Sequence, residues 1–167
     1  MKIIPLPSET RINLGYTHKV IITYADCTAA ALTQTFTIFP DAATPGQLAA
    51  GFQVQASAIR MITPFSGGTI SAMAIDIGDK ASVGRYIANA NTDLFTASAT
   101  NTKDNVVSAT RYAFAGADVA NTNAQLTAKL TAVGGNLSTA TAGRVEIYLD
   151  LAPLADGDVV VEPGIVG

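Results

Sequence analysis

The sequence contains few of the groups from which catalytic or metal sites are built. It has one histidine, His18, one cysteine, Cys27, and no tryptophan in 167 residues. A site with two histidine ligands is therefore excluded, and a Ser-His-Asp arrangement would depend on His18, which has no nucleophile elbow near it. We interpret His18 as a polar residue at the start of a strand and Cys27 as a small buried residue without a lowered thiol pKa. We expect no catalytic residue and no cofactor.

Charge of either sign is also scarce. Only 14% of the residues are charged and the formal net charge is -3, whereas about 25% charged residues is typical. The ten basic residues are scattered singly and never cluster with aromatic residues. Because binding to a phosphate backbone requires a basic patch, we expect no direct binding of nucleic acid.

Long apolar runs and disulfide partners are absent as well. No apolar stretch approaches the roughly 20 residues that span a bilayer, and the apolar run at the start, unlike that of a signal peptide, is broken by Pro5 and Pro7. A lone cysteine cannot form a disulfide within the chain. The sequence therefore predicts a soluble single domain in a reducing compartment, with no membrane partner.

What the sequence does contain is strand patterning. The large residues of the run 52–62 change phase, which indicates a β-bulge near Ser57 or Ala58. Between the first two strands, the segment 24–31 is typical of a turn or one short helical turn. The strands are predicted over 19–25, 34–39, 52–62, 69–77, 111–115 and, more weakly, 83–88, with a turn at 63–68 and, over 96–110, a long loop with or without an edge strand at Val106 and Val107.

The clearest pairing signal lies in residues 126–151, LTAKLTAVGGNLSTATAGRVEIYLDL. Apolar residues alternate in both halves, and the Gly-rich segment between them is expected to reverse the chain. This predicts a β-hairpin with one buried and one solvated face, on which Lys129 can pair with Glu146 across the strands.

Seven or eight such strands predict an all-β fold. Turns recur about every ten residues and no helical period is present, which is typical of an antiparallel β-sandwich or jelly roll. We assign this domain to residues 16–154, between an extended N-terminal arm, 1–15, and a C-terminal tail, 155–167.

Asp76, Asp79 and Asp93 are the nearest approach to a carboxylate cluster. Calcium binds loop carboxylates, but the alternating ligands of an EF-hand are absent here. Asp beside Gly is the ordinary composition of a turn. We therefore expect no metal ligand.

Three segments, 23–39, 63–87 and 126–154, carry distinctive motifs. They contain a Tyr-Ala-Asp turn, a Thr-Pro-Phe turn leading into a strand that ends in Ile-Gly-Asp, and a Gly-Asn-Leu hairpin ending in a Glu-Ile-Tyr-Leu strand. Together they resemble a family of small virion proteins of tailed bacteriophages, in which these features recur. The chain departs from this family in having Cys27 where leucine is frequent and Ser82 where aspartate is frequent after Ile-Gly-Asp.

The resemblance implies a capsid decoration or cement protein. Such a protein is made in the host bacterial cytoplasm and binds the major capsid protein on the outer surface of the head, as a homotrimer over local three-fold positions. In that setting the N-terminal arm is a strap that docks on a neighbour, although a frayed terminus or an edge strand of its own domain is an equal alternative. The expected contact residues are Ile3, Ile4, Leu6, Arg11, Leu14 and Tyr16.

Two other functions stay open at this stage. A phage tail or fibre jelly-roll module that binds a host-surface glycan would need aromatic platforms in a groove and would occur in few copies per particle. A hydrolase or metal-dependent enzyme, the least supported class, would lose its activity on substitution of His18 or Asp76.

Overall fold

The computed structural model of the chain describes residues 1–7, 15–38, 52–79, 82–96 and 126–153. This part of the chain consists of seven strands, three 3-10 helices of one turn each, and connecting segments. The all-β prediction is confirmed. The strands are β1 (Lys2–Pro5), β2 (His18–Thr23), β3 (Thr33–Thr37), β4 (Phe52–Ser66), β5 (Ala72–Asp79), β6 (Leu126–Val133) and β7 (Ala142–Pro153), and the 3-10 helices are Tyr24–Asp26, Asn89–Asn91 and Leu137–Thr139.

The strands form two sheets. One has four strands in the order β1-β2-β7-β4, and the other has three in the order β3-β6-β5. Every pairing is antiparallel, as the sequence predicts. The jelly-roll form remains a prediction, and the strand predicted over 111–115 lies outside the described residues, as do Phe39, most of the 96–110 loop and the tail 155–167.

The core lies between the two sheets. Alternation along each strand sends every second side chain inward, and these side chains are mainly β-branched or leucine. Each fully buried aliphatic side chain of this size stabilises the fold by about 1.5–3 kcal/mol. The inward set includes Val20, Ile22, Val145, Ile147 and Leu149 from the four-stranded sheet and Met73, Ile75, Ile77, Ala128 and Leu130 from the three-stranded sheet.

The predicted hairpin of residues 126–151 is wrong. β6 pairs with β3 and β5, whereas β7 pairs with β2 and β4 in the other sheet. The segment between them therefore crosses from one sheet to the other instead of joining neighbours. Both strands do face the same core, as predicted, but from opposite sides of it. Lys129 and Glu146 consequently lie on opposite outer faces and do not pair.

β4 is longer than the sequence pattern predicts. It continues through the predicted Thr-Pro-Phe turn to Ser66, so the chain reverses at Gly67 and Gly68, whose φ angles are +136° and +53°. The predicted β-bulge exists, but the first register shift lies between Val54 and Ala56, just before the expected position.

The start of the chain forms an edge strand. β1 pairs with β2 from Lys2 to Pro5, and the backbone N–H of Leu6 donates to the carbonyl of Thr17 over 2.9 Å. Of the alternatives for the N-terminal arm, the structure therefore shows an edge strand of its own domain over residues 2–5. Proline is tolerated at this position because an edge strand has one unpaired side.

Residues 82–96 connect the two sheets along one side of the sandwich. The weaker strand predicted over 83–88 is reduced to a single bridge between Ile77 and Ile87. Further along, the N–H of Leu94 donates to the carbonyl of Met73 in β5, and the carbonyl of Leu94 accepts from the N–H of Phe65 in β4, both over 2.8 Å. This segment therefore forms backbone hydrogen bonds with an edge strand of each sheet, β5 in one and β4 in the other.

Candidate interaction surface

His18 and Cys27 are the two residues considered above as a possible base and a possible nucleophile. His18 begins β2, as predicted, and its Nδ1 lies 3.0 Å from the hydroxyl of Thr17. Cys27 is buried, also as predicted, and burial raises the pKa of its thiol to about 11 despite the opposing charge of the N-terminal amine. The thiolate is therefore disfavoured at neutral pH.

Asp76 and Asp93, two of the three aspartates considered as a carboxylate cluster, accept hydrogen bonds from backbone N–H groups. Oδ1 of Asp76 accepts the N–H of Asn89 over 2.7 Å, and Oδ1 of Asp93 accepts the N–H groups of Phe95 and Thr96. The hydrogen bonds from Thr96 hold the pKa of Asp93 below its ordinary value. Within the described residues no group of three or more His, Cys, Asp or Glu side chains could hold a metal ion.

The outer face of the four-stranded sheet carries a connected polar cluster. We call this surface the basic face and define it by the outward side chains of β1, β2, β4 and β7. Strand register places Arg60 beside Glu146, Ile21 on the other side of Glu146, and Lys19 beside Tyr148. The outward side chains include Lys2, Ile4, Lys19, Ile21, Ala58, Arg60, Arg144, Glu146, Tyr148 and Asp150.

Glu146 is the centre of this cluster and is only 5% exposed although it points away from the core. Nη2 of Arg144 donates to Oε1 over 2.6 Å, the hydroxyl of Tyr148 donates to Oε2 over 2.7 Å, and Nζ of Lys19 lies 3.6 Å from Oε1. Burial alone raises the pKa of this carboxyl, but the hydrogen bonds and the nearby cations outweigh burial and lower it. Glu146 is therefore ionised and held by charge-assisted contacts.

Tyr148 joins the charged cluster to an aromatic pair. Its ring centroid lies 5.7 Å from that of Tyr16 with the planes inclined at 47°, and the Lys19 ammonium lies 5.9 Å from the Tyr148 ring. Burial, together with the hydrogen bond to Glu146 and its charge, raises the pKa of Tyr148 to about 12. The hydroxyl therefore stays protonated and donates to the carboxylate.

The charge of the basic face is opposite in sign to that of the whole chain. Its outward side chains include four cations and two carboxylates, while the full sequence has a net charge of -3. Four cations against two carboxylates leave this face with a net charge of +2. The ion pairs of Glu146 with Lys19 and Arg144 cancel charge of both signs and leave that balance unchanged.

The structure brings together only part of the predicted contact set. Ile4 and Tyr16 lie at the basic face, since Ile4 is in register with Lys19 and Tyr16 packs on Tyr148. Ile3, in contrast, is partly buried against the core of its own domain, and Leu6 is buried. Arg11 and Leu14 lie outside the described residues.

Sequence reasoning missed the cluster around Glu146. The alternation in 144–151 does show that Arg144, Glu146, Tyr148 and Asp150 share a face. It does not show which strands flank that face, and Lys19 and Arg60 come from β2 and β4. Sequence reasoning therefore pairs Glu146 with Lys129 of β6, the strand that precedes it along the chain.

None of the helices in the described part of the chain is long and apolar enough to cross a membrane. Comparison of the chain with known protein families, with curated proteins and with solved structures gives no match. The resemblance to phage virion proteins accordingly remains a prediction.

Proposed function

We propose that this chain is a structural virion protein, a decoration or cement protein that binds the outside of a tailed-phage head as a trimer and stabilises the shell. The observation that carries the proposal is the basic face, a rigid sheet surface on which arginine, lysine and tyrosine side chains are held in place by Glu146. Arginine and tyrosine are enriched at protein interfaces. A protein that acts through such a surface requires no catalytic group.

The first of the segments that resemble the phage family, 23–39, contains a turn held by hydrogen bonds from its own side chains, which is consistent with a structural protein. In the Tyr-Ala-Asp turn, Asp26 accepts the backbone N–H and the hydroxyl of Thr23, both over 2.9 Å. The side chain of Gln34 closes the same loop, accepting the N–H groups of Thr28 and Ala29 and donating to the carbonyl of Asp26. These side chains thus hold the connection between β2 and β3.

The physical basis for shell stabilisation is linkage. A protein that binds the assembled shell and not its dissociated subunits stabilises the shell by mass action, and many equivalent contacts add through avidity even when each is weak. Within the described residues, β1 and β3 each pair on one side only. Cyclic association is one way to cover such edges.

A second candidate function is a tail or fibre module that binds a host-surface glycan. The aromatic pair of Tyr16 and Tyr148 at the basic face favours it, because aromatic rings are the platforms on which sugar rings stack. It ranks below the first proposal because the described part of the basic face is a sheet surface rather than a groove.

The test is the copy number of this chain relative to the major capsid protein in purified particles, measured by quantitative mass spectrometry. The cement function predicts a near-equal ratio, and particles that lack the chain should lose their contents at a lower temperature. A few copies per particle would favour the tail module instead. Complete absence from particles would overturn both.

A further inference from the structure

We propose that the basic face is the surface that docks on the shell, and that its partner is a protein surface rich in carboxylates. This inference rests on the proposed function and assigns the contact to one side of the sandwich. It differs from the sequence-based expectation, in which the N-terminal arm makes the contact as a strap.

Charge complementarity identifies the partner. Lys2 and Arg60 are exposed, and Lys19 and Arg144 are only partly engaged by Glu146, so the face offers donors in several directions. A chain of net charge -3 is repelled overall by an acidic surface. The basic face is a positive surface on an acidic chain, and it would orient the protein during the encounter.

The cluster is also organised before any partner arrives. Glu146 fixes Arg144 over 2.6 Å and Tyr148 over 2.7 Å, and Tyr148 in turn packs against Tyr16. Side chains that are already ordered lose less conformational entropy on binding, which usually costs about 0.5–1.5 kcal/mol for each immobilised long side chain. The free protein therefore presents its arginine and tyrosine anchors close to their bound arrangement.

In the described part of the chain, the outer face of the three-stranded sheet lacks these features. In register across it lie Thr35, Lys129 and Asp76, and Asp76 is buried with its Oδ1 bonded to Asn89. Thr33 and Thr37 flank this row on β3. Reversing a charge on this face leaves the basic face unchanged, so such a variant is a control for charge reversal on the basic face.

The experiment compares Arg60→Glu with Lys129→Glu in co-sedimentation with purified shells that lack this chain. Arg60 is exposed and reversal creates repulsion with an acidic partner, so we expect its affinity to fall by about tenfold or more. Lys129→Glu should bind within about twofold of wild type, and added salt should weaken wild-type binding. Circular dichroism and thermal unfolding establish that each variant is folded, and Lys2→Glu replaces Arg60→Glu if the latter is not.

The outcomes distinguish a wrong proposed function from a wrong assignment of the binding face. If wild type does not sediment with shells, the proposed function is wrong. If wild type binds and Arg60→Glu binds equally well, the cement function stands and the assignment of the face is overturned. If Arg60→Glu instead converts an oligomer to a single chain, the occupant of the face is a second copy and the inference is again overturned.

Discussion

At the scale of single residues, Glu146 illustrates how a charged side chain becomes part of a fold. An unpaired buried carboxylate would be strongly destabilising, yet this one is ionised because Arg144, Tyr148 and Lys19 surround it. Arg144 remains partly open to solvent, so its contribution is reduced by screening. The stability contributed by Glu146 is consequently modest and depends on pH.

The pH dependence follows from the lowered pKa of Glu146. A carboxyl whose pKa is lower in the folded state contributes stability that is present above its unfolded value, about 4.3, and is lost as the pH falls through the folded value. We expect Glu146→Gln to cost about 1–3 kcal/mol at neutral pH. Urea unfolding from pH 7 to pH 3 should show the two stability curves converging in acid, and parallel curves would contradict the assignment.

Gly143 is a second residue of interest, because the local structure leaves no room for a Cβ atom there. Its φ is +143°, and a Cβ at this position would overlap the ring of the buried Phe65. We expect Gly143→Ala to destabilise the protein by about 2 kcal/mol or more, because backbone strain and overpacking act together. Thermal and urea unfolding measure the loss.

Gly15→Ala is the matched control for this substitution. Gly15 also has a positive φ, +70°, but no atom of the described residues lies within 4 Å of the added atom. It therefore reports backbone strain without the clash and should cost about 1 kcal/mol. Equal losses at the two positions would show that contact with Phe65 contributes nothing.

At the scale of elements, the partners of β6 and β7 are the main departure from sequence reasoning. Two alternating runs around a Gly-rich segment fit a hairpin and a sheet-to-sheet crossover equally well. The crossover is selected because Leu130 and Ile147 both fill the same core from opposite sides. Similarly, the bulge in β4 was predictable from the phase change, while its position near Gln55 depends on the register with β7.

A double-mutant cycle distinguishes the two arrangements. The hairpin would couple Lys129 to Glu146, whereas the observed sheets couple Arg144 to Glu146. We expect a coupling free energy within about 0.5 kcal/mol of zero for Lys129→Ala with Glu146→Gln, and about 1 kcal/mol for Arg144→Ala with Glu146→Gln. The free energies of unfolding of the single and double variants provide both values. Coupling of Lys129 to Glu146 as large as that of Arg144 would restore the hairpin.

At the scale of the whole molecule, the edges of the two sheets bear on the proposed association. One side of it is closed by residues 82–96, while β1 and β3 have one unpaired side each within the described residues. Unpaired strand edges favour association with another chain. This is the structural argument for the proposed trimer.

Light scattering after size-exclusion chromatography tests that proposal. We expect a mass three times the 17.1 kDa of the chain, because three copies related by a closed rotation can cover their edges without forming a filament. A single-chain mass at concentrations well above those used for shell binding would contradict the trimer.

The sequence by itself determined the all-β class, the buried faces of β6 and β7, the position of His18 at the start of a strand, the burial of Cys27, and a short helical turn within 24–31. Each of these depends on local alternation, side-chain chemistry or short-range hydrogen bonds, which act within a few residues. Only the tertiary structure decided which strands are neighbours, and with them the partners of Glu146. The physical reason is that alternation fixes the face to which a side chain points, whereas the neighbour across the sheet depends on how the whole core is filled.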